Sequence, residues 1–234
     1  MSAVLISDLH LHESDPTLFS KFEMFLSSKI YGFNNLYILG DLFETWIGDD
    51  DESKFNKKVI EILKKVSADG MKVFLMHGNR DFLIGESFCS TINAELLSDY
   101  HIYEDGDSKI LLLHGDTLCT DDIRYQEFRK LVRTESWKGN FLSKSLKERI
   151  DIASGLREMS NEETEDKKNE IMDVNLESVR KISNEFNIEK MIHGHTHRPF
   201  IHQDENLLRV VLSDWENEVN YATVINGEIS LETF

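Results

Sequence analysis

Apolar positions recur along this chain in two alternating rhythms. Ala3–Ile6, Leu36–Leu39, Val73–Met76, Ile110–Leu113 and Met191–Ile192 are short, nearly continuous apolar runs, the pattern of strands buried on both faces. Between the first two, Leu18, Phe22, Phe25 and Leu26 fall on one face of an amphipathic helix. Phe55, Val59, Ile62, Leu63 and Val66 do the same before the third run, with Gly70 following as a C-cap. Strand–helix alternation of this kind predicts an α/β sheet with helices on its faces. Arg209–Leu212, Tyr221–Ile225 and Ile229–Glu232 read as later strands, the last two joined by an Asn226-Gly227 turn, so a mixed sandwich is expected.

Residues 121–167 break the rhythm. They hold no convincing strand, and basic residues are interleaved with Phe128, Leu131, Val132, Trp137, Phe141, Leu142, Leu146, Ile150 and Leu156. The pattern predicts a helical insertion or cap, approximately 121–167, within a single domain spanning 1–234. The other reading is an ordinary helical excursion that completes the core. A further helix is expected over 169–186 from Ile171, Val174, Val179, Ile182 and Phe186.

Length and composition suit one globular domain: 234 residues, 40% hydrophobic, 29% charged, two prolines. The opening Met1–Asp8 reaches a charge too soon for a signal peptide and reads as a first strand. No apolar run reaches the roughly 18 residues needed to span a membrane. Cys89 and Cys119 form no CxxC pair, so buried thiols in a reducing compartment are expected. The formal charge of -17 argues against sequence-blind nucleic-acid binding. It is unevenly spread: residues 124–157 carry nine Lys and Arg against four Asp and Glu.

The apolar runs end in residues capable of chemistry. Asp8-Leu9-His10 joins carboxylate and imidazole, a pair suited to Mn²⁺, Fe²⁺ or Zn²⁺. Gly40-Asp41 puts a carboxylate that could bridge two cations after a tight turn. Gly78-Asn79-Arg80-Asp81 offers a neutral amide ligand and a planar cation for phosphate oxygens. Arg80 would clamp a phosphate or, more blandly, pair with Asp81. His114-Gly115-Asp116 and Gly194-His195-Thr196-His197 add three imidazoles after separate strands.

In combination GD, GNRD, HGD and GHTH strongly resemble the calcineurin-like metallophosphoesterase family, over nearly the whole chain. The resemblance implies a four-layer sandwich with mixed β-sheets. It implies two divalent ions, with Mn²⁺ the expected metal: Asp8, His10, Asp41 and His197 hold one, and Asp41, Asn79, His114 and His195 the other. Two such cations flank the reacting phosphate and lower the pKa of a bound water, which attacks phosphorus in line with the leaving oxygen. The family's common histidine is Arg80 here. Arginine cannot protonate a leaving group, which favours a pyrophosphate bond, whose leaving group is already a phosphate.

The GNRD motif, Trp46, the run His114–Asp122, Ile171–Asn175 and Gly194–Pro199 are most similar to the bacterial UDP-2,3-diacylglucosamine hydrolases of that family. This resemblance implies cleavage to UMP and 2,3-diacylglucosamine 1-phosphate (lipid X) in lipid A biosynthesis. Substrate contacts map onto Asn79, Arg80, Asp122, Ser160, Thr164, Lys167 and His195. At Thr164 the family often has asparagine; the shorter side chain would weaken or shift that contact. Phe128, Trp137, Phe141 and Ile152 would line or border an acyl groove, and the basic cap would touch the cytoplasmic face of the inner membrane peripherally. A related soluble enzyme acting on nucleotides or protein phosphates, and a non-catalytic scaffold, are the competing readings. The sequence leaves oligomeric state open.

Overall fold

The apolar runs become strands because both of their faces are covered. A computed structural model describes residues 2–166, 173–204, 206–216 and 219–234, with 159–166 as backbone only. The elements run in the order β1 Ser2–Ile6, α1 Pro16–Ser28, β2 Asn35–Ile38, α2 Lys54–Ala68, β3 Lys72–Leu75 and α3 Glu86–Thr91. Next come β4 Ala94–Leu96, β5 His101–Asp105 and β6 Ser108–Leu112, and then α4 Ile123–Val132, α5 Glu135–Leu142, α6 Leu146–Asp166 and α7 Leu176–Phe186. The chain finishes with β7 Lys190–His193, β8 Phe200–Asp204, β9 Leu207–Val211, β10 Asn220–Ile225 and β11 Glu228–Thr233.

Two mixed sheets result. The first has the order β11-β10-β1-β2-β3-β4, parallel from β1 to β4 and antiparallel at β10 and β11. The second has the order β5-β6-β7-β9-β8, with parallel β6, β7 and β9 flanked by antiparallel edges. Period-two alternation distributes the strand residues between two cores. Val4, Ile6, Leu36 and Ile38 pack with Phe22, Phe25, Val59 and Leu63 of α1 and α2. Ala3, Leu5, Tyr37 and Leu39 pack with Ile110, Leu112 and Val210 of the second sheet, in the cluster that also holds Val179 of α7. The layers therefore run helix, sheet, sheet, helix.

Local chemistry sets the helix ends. The Asp15 carboxylate accepts the amides of Thr17 and Leu18, and Pro16 opens α1 where no amide donor is needed. Ser53 caps α2 through the Asn56 amide. Asn226 and Gly227 both have positive φ, as the two-residue turn between β10 and β11 requires.

Two features differ from the expectations. The helix expected over 169–186 begins only at Leu176, because Asn175 turns the chain and caps it through Ser178; Ile171 lies outside the described residues. Strands β4, β5 and β8 and the six-residue α3 were not anticipated. β4 is only three residues long, β5 mixes polar and aromatic residues, and β8 is an exposed edge, so none carries a clean apolar run. Residues 123–166 form three helices, and no strand lies between them. Both cysteines are buried free thiols.

Candidate metal centre and adjoining pocket

Parallel β1, β2 and β3 deliver their following loops to one edge of the first sheet, where open α/β sheets generally bind ligands. The first two loops are laced together. Asp8 N donates to Gly40 O (3.1 Å), His10 N to Asp41 O (2.9 Å), Leu11 N to Leu42 O (2.9 Å) and Glu44 N back to Leu11 O (3.1 Å). Leu9 and Leu11 anchor this lace in the core, and Asp8 and His10 beside and between them are also buried.

The backbone is unusual at these positions. Asp8, His10, Asp41, His195 and His197 all have positive φ, and every other non-glycine residue described with positive φ is an asparagine. Left-handed backbone costs about 1–3 kcal/mol at such residues and persists only where the surroundings enforce it. Five strained residues from three separate loops converge on one place. Glycines make the approach possible. A Cβ on Gly40 would lie 2.6 Å from His114 Nδ1, and one on Gly194 would collide with Asp8 Oδ2 and Ser7 Oγ.

Each carboxylate commits one oxygen to the backbone. Asp8 Oδ2 accepts the His195 amide (2.8 Å) and Asp41 Oδ1 accepts the Arg80 amide (2.8 Å). The other oxygens face imidazoles. His197 Nε2 lies 3.4 Å from Asp8 Oδ1 and 3.3 Å from His10 Nε2, which is 3.9 Å from Asp41 Oδ2. On the other side of Asp41 Oδ2, His114 Nε2 is 3.7 Å away, and Asn79 Oδ1 sits 3.0 Å from His114 Nε2 and 2.9 Å from His195 Nδ1. Donors about 2.1 Å from a shared ion stand roughly 3.0–4.2 Å apart, so these separations suit two cations with Asp41 between them. Asp8 Oδ1 is buried and has no hydrogen-bond donor, the condition of an atom shaped for a cation. The donor set fits divalent ions.

The electrostatics agree. Burial works against every charge here, yet His197 is driven up to about 10 by the carboxylates of Asp214 and Asp8 on either side of its ring. His10 and His114 are also raised against burial, the first by Glu44 and Asp41, the second by Asp41 and Asp8. Asp8 is held well below the carboxylate range despite its burial, chiefly by His197. The carboxylates thus draw positive charge to the centre. His195 alone is pushed down, to about 3, by burial and the neighbouring His114.

A cavity of about 210 Å³ adjoins the centre. Asn79, Arg80 and Arg157 line it together with Phe128, Trp137 and Phe141. Arg80 Nε and Arg157 Nη1 are buried without hydrogen-bond acceptors. Arg80 does not pair with Asp81: that carboxylate is buried and accepts the amides of Gly78 and Leu42 (both 2.8 Å) and Asp41 (3.3 Å). Trp46 also reaches the cavity, whereas Ile152 packs on the first core cluster. Asp122 caps α4 through the Tyr125 amide (3.1 Å). Ser160 and Thr164 lie on α6 but their side chains, like Lys167 altogether, are outside the described residues.

Several participants escaped the sequence reading. Arg157 is one. Tyr125 is another: its ring stands 5.9 Å from that of His195, and its hydroxyl donates to Asp116 Oδ2 (2.6 Å). Arg129 joins the same carboxylate (2.7 Å) and Asp99 (2.7 Å), tying α4 to the second sheet. Glu44 and Asp214 stand behind His10 and His197. The acidic third residue of His114-Gly115-Asp116, and an acidic residue three after Asp41 in an apolar loop, were the available signals.

Residues 1–199 match the calcineurin-like phosphoesterase family model. A UDP-2,3-diacylglucosamine hydrolase of Haemophilus influenzae is 45% identical over 97% of this chain and 95% of its own length. One of Neisseria meningitidis is 44% identical over 95% of this chain and 92% of its own. In fold, the chain is similar to an archaeal phosphodiesterase (TM-score 0.51, 12% identity, 100% of both chains). A Vps29 of Entamoeba histolytica is as similar (TM-score 0.51, 12% identity, 100% and 98%). The chain belongs to the calcineurin-like phosphoesterase family, among its relatives named UDP-2,3-diacylglucosamine hydrolase.

Proposed function

We propose that this protein hydrolyses the pyrophosphate bond of UDP-2,3-diacylglucosamine, giving UMP and 2,3-diacylglucosamine 1-phosphate (lipid X), with Mn²⁺ as its metal. One observation carries the reading: a two-cation donor set adjoins a cavity lined by the guanidinium groups of Arg80 and Arg157 and by the aromatic rings of Phe128, Trp137 and Phe141. Phosphates and acyl chains would meet those surfaces respectively. Relatives named for this activity, similar over nearly their whole length, support it.

Asp8, His10, Asp41 and His197 would hold one ion, and Asp41, Asn79, His114 and His195 the other. Two such ions supply Lewis-acid charge for the phosphoryl oxygens and lower the pKa of a coordinated water. Arg80 and Arg157 would pair with the remaining phosphate oxygens through planar N–H donors. Neither arginine gives up a proton at working pH, and the Tyr125 hydroxyl is committed to Asp116, so the leaving group departs as a phosphate that needs no proton. Trp46, Phe128, Trp137 and Phe141 would receive acyl chain, each buried CH₂ contributing roughly 0.8 kcal/mol. Asp122, Ser160, Thr164 and Lys167 are retained as contacts to the sugar and phosphates.

Helices α4 to α6 would act as the cap over this cavity. They expose Ile123, Leu131, Leu142 and Ile150 among the basic residues of 124–157, a surface suited to a bilayer carrying anionic lipid. No described helix is long and apolar enough to cross a membrane. The reading includes peripheral contact with the cytoplasmic face of the inner membrane.

The test is an Arg80→Ala variant loaded with Mn²⁺ and given UDP-2,3-diacylglucosamine. Lower turnover or a raised KM, with both ions still bound, is expected. Unchanged kinetics would remove the phosphate clamp from the account.

A further inference from the structure

Glu44 lines the cavity beside Arg80 and Arg157 and also reaches the candidate metal centre. It follows Asp41 on the loop laced to Asp8–Leu11, and its side chain is 20% exposed. Its two oxygens are divided. Oε2 lies 3.0 Å from His10 Nδ1, off the straight N–H line, while Oε1 contacts the guanidinium of Arg157 on α6. The opposite nitrogen of His10, Nε2, faces His197 and Asp41, where a cation would sit. One carboxylate therefore contacts both a metal-facing imidazole and an arginine of the pocket.

A carboxylate behind an imidazole keeps the proton on the near nitrogen, frees the far lone pair for the ion and raises its basicity. The two candidate ion positions differ in this support. His10 and His197 have carboxylates behind them, Glu44 and Asp214 (3.3 Å). His114 has only the neutral Leu39 carbonyl at its Nδ1 (2.9 Å). The same Glu44 carboxylate also fixes where the Arg157 guanidinium can lie.

We propose that Glu44 is a positioning residue that couples metal affinity at the Asp8–His10–His197 position to the placement of Arg157 in the substrate pocket. The inference rests on the two-ion reading of the centre. Removing Glu44 disturbs both arms, whereas removing Arg157 disturbs only the pocket. A surface ion pair between Glu44 and Arg157 would do neither to the metal.

The experiment titrates metal-stripped full-length protein with Mn²⁺, following the free-ion signal by electron paramagnetic resonance. Wild type, Glu44→Gln and Arg157→Gln are compared, and KM for UDP-2,3-diacylglucosamine is then measured at saturating Mn²⁺. Wild type is expected to bind two equivalents. Glu44→Gln should weaken one of them about 10–100-fold and raise KM. Arg157→Gln should raise KM with Mn²⁺ binding unchanged. If Glu44→Gln folds poorly by circular dichroism, Glu44→Asp, too short to hold both partners, replaces it and should also lose affinity for one ion. Wild-type Mn²⁺ affinity in the folded Glu44 variant overturns the coupling alone. A wild-type protein that takes up no Mn²⁺ overturns the metal centre itself, and the coupling with it.

Discussion

Asp81 lies behind the candidate centre, and four loop amides depend on it. Its oxygens accept the amides of Gly78 and Leu42 at 2.8 Å, Asp41 at 3.3 Å and Phe43 at 3.5 Å inside the core. Replacing it with alanine strands those donors at about 1–3 kcal/mol each, so Asp81→Ala should lower the Tm of metal-free protein by several degrees. An unchanged Tm would mean the amides find other partners. Buried imidazoles set a second prediction. Burial and the Arg209 charge push His193 down to about 3, and burial and His114 do the same to His195. Their folded pKa values lie below the unfolded value of 6.5, so the unfolded chain takes up the protons first as pH falls. Stability of the metal-free protein should then drop between pH 6.5 and 4, by up to about 1.4 kcal/mol per pH unit for each group. His10, His114 and His197 are raised, so below 6.5 they are protonated in both states and do not offset the loss. Urea midpoints that stay flat or rise on acidification would contradict this. At this scale the residues of the candidate metal centre were legible because each follows an apolar run, all but Asp8 and His10 in a motif with glycine. Glu44, Asp214 and Arg157 were not, since a side chain acting through a neighbour needs no fixed spacing in sequence.

The helices over the cavity hang on few contacts with the sheet layers. Arg149 of α6 is buried, donates to the Ile47 carbonyl (2.7 Å) and pairs with Asp50. Arg133 of α4 donates to the Gly78 carbonyl (2.8 Å), next to Asn79. Hydrogen bonds from charged groups are worth about 1.5–3 kcal/mol, so Arg149→Ala should release α6 locally. Hydrogen exchange should quicken in 146–158 while β1 and β2 remain protected; equal protection in the two proteins would show that α6 is held by its apolar face instead. Strand and helix periodicity made β1, β2, β3, β6 and the first two helices legible. It could not show that the second sheet sits behind the first, because that pairing depends on contacts between distant segments, such as Leu5 and Tyr37 with Ile110.

Charge is the property that only the whole molecule reveals. A net -17 repels anionic surfaces, yet the helices over the cavity gather basic residues among exposed Ile123, Leu131 and Ile150. Vesicles containing anionic lipid should therefore bind the protein in a salt-sensitive way. The Lys130→Glu/Lys147→Glu variant, altered at two exposed positions, should cosediment more than tenfold less well, since each basic residue near the surface contributes about 1 kcal/mol. Equal cosedimentation would place the docking face elsewhere. The central claim is that the centre cleaves the pyrophosphate of an acylated nucleotide sugar. Its most direct test is a competition in which Mn²⁺-loaded protein meets equal amounts of UDP-2,3-diacylglucosamine and unacylated UDP-glucosamine, with products followed by mass spectrometry. At roughly 0.8 kcal/mol per buried CH₂, three methylenes already favour the acylated substrate about fiftyfold. UMP and 2,3-diacylglucosamine 1-phosphate appearing at least a hundredfold faster than the unacylated products is the predicted result. Equal rates, or an intact lipid substrate, would contradict it.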